Sequence, residues 1–333
     1  MMDAATYSPL CADADGVITF SFLLRPEYAM ISLMSAIEPL RIANRLAGKP
    51  LFRWQCFSEE GESVLASNEM SLSRHLGFKD RELPKNLFVN SSFNPRRYLS
   101  QCSVKWLQQI KRRGGCIGAF DTGCFLLAEA NLLNGHCVTM HWEAVPVFAE
   151  LYPEQGISTD LFVVDGACVT CAGGVAATDM MLSLIAPFCD KKLIEQICDQ
   201  FIGQGVRDKH VEQRIGMSER LNIHNPRLLK VLKLMEANLA SPITTADLAE
   251  QVHISLRQLE RLFQRYLQMT PSRYYLKLRL TRAKQLLCET SLSVSQIALA
   301  CGFGSPSQFS RSYRKEYLIA PNTARKDASP IVL

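Results

Sequence analysis

One short pattern recurs four times in the last third of this 333-residue chain, and it constrains the fold more than any other feature. Thr244-x-x-Asp247, Ser255-x-x-Gln258, Ser293-x-x-Gln296 and Ser305-x-x-Gln308 each precede a helical run. A hydroxyl at the first position satisfies an orphan N–H at a helix start, and an acid or amide three residues on reaches back. Pro306 falls at the first helical position, where its missing N–H costs nothing. In order, the four starts predict two pairs of short helix, turn and longer helix, about 50 residues apart. Ala249 lies in the first lead helix, with His253 and Ile254 in its turn. Ala298 lies in the second, followed by Cys301-Gly302-Phe303-Gly304. A long helix over roughly 272–287 joins the pairs, with Leu276, Leu280, Ala283 and Leu287 on one stripe.

Two trihelical units on a stiff connector can present two second helices about one DNA turn (~34 Å) apart. The charge distribution agrees. Residues 226–333 carry 16 Lys+Arg against 7 Asp+Glu, a net of +9, while residues 1–225 carry −4, within a total of +5. A basic third on an acidic body points to a polyanion partner. In the helix after Ser255, Leu259, Leu262 or Phe263, and Tyr266 face inward, leaving Arg257, Glu260, Arg261, Gln264 and Arg265 outside. The helix N-terminus enters the groove, so Arg257, Gln258 and Arg261 are the base-edge candidates; Arg matches guanine and Gln matches adenine. In the helix after Pro306, Phe309 and Tyr313 face inward. Ser307, Gln308 and Arg311 are left for bases, and Arg314 and Lys315 for phosphates, which position without specifying. A solvated helical face explains any one of these arginines; the duplicated arrangement favours double-stranded DNA.

The stretch SLRQLERLFQRYLQMTPSRYYLKLRLTRAKQLL, followed by SVSQIALACGFGSPSQFSRSYRKEY, resembles the AraC-type DNA-binding domain. The resemblance implies that the two units enter successive major grooves of promoter DNA. It also implies that Arg257, Glu260, Arg261, Pro306 to Gln308 and Arg311 face the bases. One departure is local: the family usually carries Gly after each recognition helix, where this chain has Leu267-Gln268 and Leu318-Ile319.

Ahead of this region the chain alternates. Apolar runs at 17–24, 52–57, 87–89, 116–120, 137–140 and 161–164 read as buried strands. Helical patterns follow near 32–46, 101–113, 125–133, 144–152 and 176–188. This predicts an α/β doubly wound sheet, flavodoxin-like, before an all-α domain with two helix-turn-helix units. Ligands on such sheets bind at strand carboxyl ends. One such end is Gly118-Ala119-Phe120-Asp121-Thr122-Gly123, a strand-to-helix elbow with Asp121 at its apex. Beside a helix N-terminus, a carboxylate there is expected to stay ionised and to offer an anionic point; a plain helix N-cap is the alternative. His141-Trp142-Glu143 and Ser91-Ser92 close other strands. Asp121, Thr122, His141, Trp142, Glu143 and Ser91 are therefore the candidate small-molecule site, with a structural histidine as the plainer reading of His141.

The motifs DTGCFLLAEANLLNGHCVTMHWE and DGACVTCAGGVAATDMMLSLI resemble the PfpI-like branch of the class I glutamine amidotransferase superfamily. With an AraC-type tail, the whole chain resembles a GlxA-family transcriptional regulator. SAIEPLRIANRLAG and the Asp-Thr-Gly elbow are most similar to regulators of glycine betaine, choline and carnitine catabolism. In the superfamily's enzymes the elbow holds a nucleophilic Cys and an early loop supplies an acid; here these positions are Asp121 and Ser32, and Cys124 lies one turn on. The implied protein is a non-enzymatic regulator, an activator binding promoter DNA and a small-molecule inducer. It is expected to act as a homodimer that engages RNA polymerase. A quaternary amine would meet charge at Asp121 or Glu143 and a cation–π face at Trp142, with Tyr28 or Phe93. An amidase or glyoxalase-like hydrolase with a DNA-binding tail is the rival, and a front domain serving only dimerisation is a third reading.

The expected boundaries are a disordered lead-in at 1–15, a ligand-sensing domain at 16–190, a linker helix at 191–224 and the DNA-binding domain at 225–328. A composition of 47% hydrophobic and 21% charged residues excludes a disordered chain. No run approaches the ~18 apolar residues of a membrane span, and the first residues lack a secretory signal. Twelve cysteines without framework spacing read as reduced thiols in a cytoplasmic protein. Cys168-x-x-Cys171 stands alone, so no metal or cofactor is expected.

Overall fold

Parallel strands covered on both faces carry apolar residues almost continuously, and β1 (Ile18–Leu24), β3 (Asn86–Ser91) and β4 (Cys116–Asp121) do so. The computed structural model describes residues 8–72, 75–80, 82–202, 205–214, 216–290 and 292–326. With β2 (Phe52–Phe57), β7 (Phe162–Asp165) and β8 (Cys168–Cys171) they form a six-stranded sheet in the order β2-β1-β3-β4-β8-β7. The first five are parallel and β7 pairs antiparallel with β8. The sheet is thus doubly wound, with an antiparallel edge. A two-stranded sheet of β5 (Cys137–Val138) and β6 (Gly156–Ile157) stands apart.

On one face Phe20, Phe22, Phe88 and Phe120 form a chain of ring contacts with centroids 5.7–6.1 Å apart. Gly118 is required beneath them, because a Cβ there would meet the Phe88 ring at 2.4 Å. The core holding these rings also takes in α1 (Met30–Ala47), α5 (Ala176–Ile185) and α6 (Lys191–Gln200). Phe57, on the opposite face of β2 from Phe52, meets Trp106 of α2 (Gln101–Arg112) at 5.2 Å. Two further helices, α3 (Cys124–Glu129) and α4 (Val145–Leu151), complete this unit.

Several expectations are corrected. The strand expected at 137–140 shrinks to β5, because Thr139 N–H donates to the Thr170 hydroxyl (2.9 Å) instead of a ladder. The helix expected to reach 133 ends at Glu129. β8, between β4 and the edge strand β7, is not among the expected strands: Thr170 interrupts it, so Cys168–Cys171 offers no continuous apolar run to read. The lead-in is not free from residue 8 onward. Cys11 N–H donates to Asn86 Oδ1 and its carbonyl accepts from Asn86 Nδ2, while Leu10 is buried; residues 1–7 lie outside the described residues. The 191–224 linker helix also dissolves. Two compact units divide at Arg214 and Ile215, and α6 belongs to the first, with Ile197 buried in its core.

The second unit contains α7 (Met217–Leu221), α8 (Pro226–Ala237), α9 (Thr245–Gln251), α10 (Leu256–Leu267), α11 (Pro271–Glu289), α12 (Val294–Ala300), α13 (Pro306–Tyr317) and α14 (Pro321–Lys326). Both expected pairs are present: α9 with α10, and α12 with α13. One core gathers Leu228, Leu232, Leu248, Leu259, Phe263 and Tyr275. In the second pair Phe303, Phe309 and Tyr313 contact one another in series. No helix among the described residues is long and apolar enough to cross a membrane.

Candidate functional site

The carboxyl ends of β3 and β4 carry Asn90, Ser91 and Asp121. Asp121, last in β4, has φ 57°, a left-handed conformation that Asp tolerates better than most side chains. It is buried, and its strand register pairs it with buried Ser91. Burial pushes its carboxyl up to about 7, aided by the charge of Glu143; hydrogen bonds from Ser92 and the Thr122 backbone pull the other way. The expectation of a permanently ionised group is therefore corrected: desolvation outweighs the helix end. Nor is Asp121 the N-cap, since α3 begins after Gly123. Thr122 ties the elbow down by donating its hydroxyl to the Ser92 carbonyl (2.6 Å).

Ser32, which the resemblance noted above sets at an acidic position, joins this site. It is buried, and its Oγ accepts from Gly174 N–H at 2.7 Å. Gly173 closes the gap: with φ 89°, a Cβ there would lie 2.9 Å from Asp121 Cβ and 3.1 Å from Ser32 Oγ. Sequence reasoning passed over Asn90, whose signal was a polar residue ending an apolar strand. Asn90 is buried beside β1, where the strand order reverses, and its Nδ2 donates to the Ala29 carbonyl (3.2 Å). Its Oδ1 has no hydrogen-bond partner among the described residues.

His141 and Trp142 lie with ring centroids 5.3 Å apart, and Glu143 is exposed. Burial holds His141 below its usual value, against the charge of Glu143. Trp142 is not a bare face: the Arg214 guanidinium sits 3.9 Å from its ring centroid. Tyr28 is wholly buried, and Phe93 is exposed. Cys124 provides no elbow nucleophile: burial pushes its thiol well up, and it donates to the Thr139 carbonyl. Cys168 and Cys171 are buried free thiols, and no cluster of three metal-ligating side chains occurs among the described residues.

In the second unit each of the four cap motifs places its hydroxyl on the third helical N–H, but only two close the reciprocal bond. Ser255 and Ser293 make full reciprocal capping boxes with Gln258 and Gln296. Thr244 makes only the hydroxyl half, to Asp247 N–H. At Ser305 the Gln308 Oε1 accepts from Gly304 N–H (3.1 Å) rather than from the cap residue. Arg257, Gln258, Glu260 and Arg261 are all exposed along α10, and Ser307, Gln308, Arg311, Arg314 and Lys315 along α13. The Oε1 atoms of Gln258 and Gln308 are already committed to these caps. Bidentate adenine recognition would have to share or break those bonds. Arg279, in contrast, is not available to DNA: it donates to the Cys301 (2.7 Å) and Gly302 (2.6 Å) carbonyls and stacks on Phe303.

Residues 248–327 match the family model described as a helix-turn-helix domain. Over 306 residues the chain is 43% identical to the HTH-type transcriptional regulator CdhR of Pseudomonas aeruginosa, covering 92% of this chain and 91% of that one. It is 40% identical to the regulator GbdR of the same species over 318 residues, covering 95% and 87%. To the regulator GlxA of Rhizobium meliloti it is 33% identical over 316 residues, covering 95% and 98%. In fold it is similar to a crystal structure of an AraC family transcriptional regulator from Pseudomonas putida, with TM-score 0.50 and 22% identity over 55% of this chain and 98% of that one. A wound α/β unit ahead of paired helix-turn-helix units, in this company, defines a DNA-binding transcriptional regulator. More narrowly, the chain belongs to the AraC-family regulators of the GlxA, CdhR and GbdR type.

Proposed function

We propose that the first unit is a receptor for a small catabolic metabolite that carries a quaternary ammonium group, such as glycine betaine or carnitine. The second unit then reads promoter DNA under its control. The observation that carries this reading is Asp121: a buried carboxyl in left-handed backbone, at the elbow where related folds hold a nucleophile. A protein that needed only a fold at this point has no use for either cost. A cation arriving beside Asp121 lowers its pKa and leaves the pair mutually compensated. Glu143 adds negative charge, and the exposed ring of Phe93 follows Ser92, whose carbonyl accepts from Thr122.

On DNA, Arg257 and Arg261 of α10 and Ser307 and Arg311 of α13 are the base readers, with Glu260 positioned for a cytosine amino group. Gln258 and Gln308 hold the helix starts, and Arg314 with Lys315 contacts phosphates. We take the protein to be a cytoplasmic activator that works as a homodimer and engages RNA polymerase once its inducer is bound. The test is calorimetry of full-length protein with betaine, carnitine and choline, paired with a promoter reporter. Asp121→Asn is expected to abolish heat and induction while operator binding survives. Unchanged induction removes Asp121 from the site, and turnover of the amine returns the hydrolase reading.

A further inference from the structure

We infer that Trp142 is an aromatic cation subsite of the receptor and that the chain's own Arg214 occupies it until ligand arrives. The inference rests on the receptor reading of the first unit and adds how occupancy is reported. The Arg214 guanidinium, 3.9 Å from the Trp142 ring centroid, is well inside the ~6 Å range of a cation–π contact. Trp142 stands between His141, whose ring lies 5.3 Å away, and Glu143, whose charge reaches Asp121. A quaternary ammonium drawn to Glu143, the residue next to Trp142 in the chain, competes with the guanidinium for the ring.

Arg214 is also the last residue of a strap. Residues 205–214 leave α6 and return across the first unit before the second begins at Ile215. Arg207 anchors the far end: its backbone N–H and guanidinium grip buried Asp179 at 2.7–2.9 Å. Lys209 accepts from Leu161 N–H (2.7 Å), and His210 meets Asp160 at 3.1 Å. Gln213 donates to Thr139 Oγ1 (3.0 Å) and to the Asp160 carbonyl (2.9 Å). The Asp179 anchor is buried and bidentate, whereas the Arg214 end rests on a half-open ring. Displacing Arg214 leaves this end held only by the hydrogen bonds of Lys209, His210 and Gln213, so the strap loosens toward the DNA-binding unit while Arg207 stays in place. By linkage, whatever holds Arg214 on the ring weakens the ligand by the same factor.

The experiment uses full-length wild type and Arg214→Ala, with glycine betaine as the probe. Betaine affinity is measured by calorimetry, and trypsin cleavage after Lys209 is timed with and without saturating betaine. Wild type is expected to be cut several-fold faster when loaded. Arg214→Ala is expected to bind betaine about 3–10-fold tighter and to be cut fast in both states. Arg214→Lys, which keeps the charge and loses the planar stack, falls between. Betaine binding without faster cleavage, or Arg214→Ala with unchanged affinity, overturns the displacement while sparing the receptor. Absence of binding by wild type overturns the receptor reading and this inference together.

Discussion

Asp121 concentrates two costs in one residue. Its backbone sits where most side chains clash, and its carboxyl has lost water without gaining a cationic partner among the described residues. The sign of the resulting pH dependence follows. The unfolded carboxyl releases its proton near 3.8 and the folded one near 7. Between those values the native chain holds a proton that the unfolded chain has lost, so stability falls as pH rises. The full effect is on the order of 4 kcal/mol above pH 7. Asp121→Asn, which also suits a positive φ, is expected to be more stable than wild type at pH 8 and equal to it near pH 4. Denaturant midpoints at the two pH values check this. Binding of a quaternary amine needs the ionised form, so its affinity is expected to climb from pH 6 to pH 8 in wild type, while the variant binds at neither pH.

The recognition helices show how caps and base readers share a helix start. In α10 and α13 the third helical residue is a Gln whose side chain braces the turn, which leaves the arginines on the following turn as readers. Arg261→Ala or Arg311→Ala is expected to cost about 1–3 kcal/mol on the cognate operator and to relax preference at one base pair. Equal loss on every sequence in a competition assay would move that Arg to the backbone. The far ends of these helices carry the family departure. Gln268 and Leu318 take φ 55° and 63°, so the left-handed turn that glycine usually provides is retained with a side chain on it. Leu318, 86% exposed, gains nothing from packing there. Leu318→Gly is expected to raise stability of the second unit by roughly 0.5–1 kcal/mol, read from its thermal transition.

At the scale of the molecule, charge and connectivity separate the two units. The acidic first unit repels DNA and the basic second unit attracts it, so operator affinity should fall steeply with salt. The expected log–log slope is about −0.9 for each phosphate neutralised, and Arg314→Ala should lower it by about one phosphate. A salt-insensitive complex would contradict the phosphate assignment. Much of this architecture was legible because the signals are local. Hydroxyl caps, helical stripes and continuous apolar runs depend on neighbours a few residues away, so both helix-turn-helix pairs and five sheet strands could be read directly. β8, the truncated β5 and the docking of α6 could not, since each is decided by partners far along the chain: Ile117 to Cys168, Thr139 to Thr170, α1 to Ile197.

The site divides the same way. The order of residues alone determined that Asp121 sits at a strand-to-helix elbow, and that Arg257, Arg261 and Arg311 lie on exposed helical faces. Local periodicity is enough for both. Only the tertiary structure decided that Asp121 is a weak acid, that Ser32, Asn90 and Gly173 surround the elbow, and that Arg214 covers Trp142. Desolvation and through-space charge depend on what packs against a group, and the residues that do so here come from segments tens of residues apart in the chain.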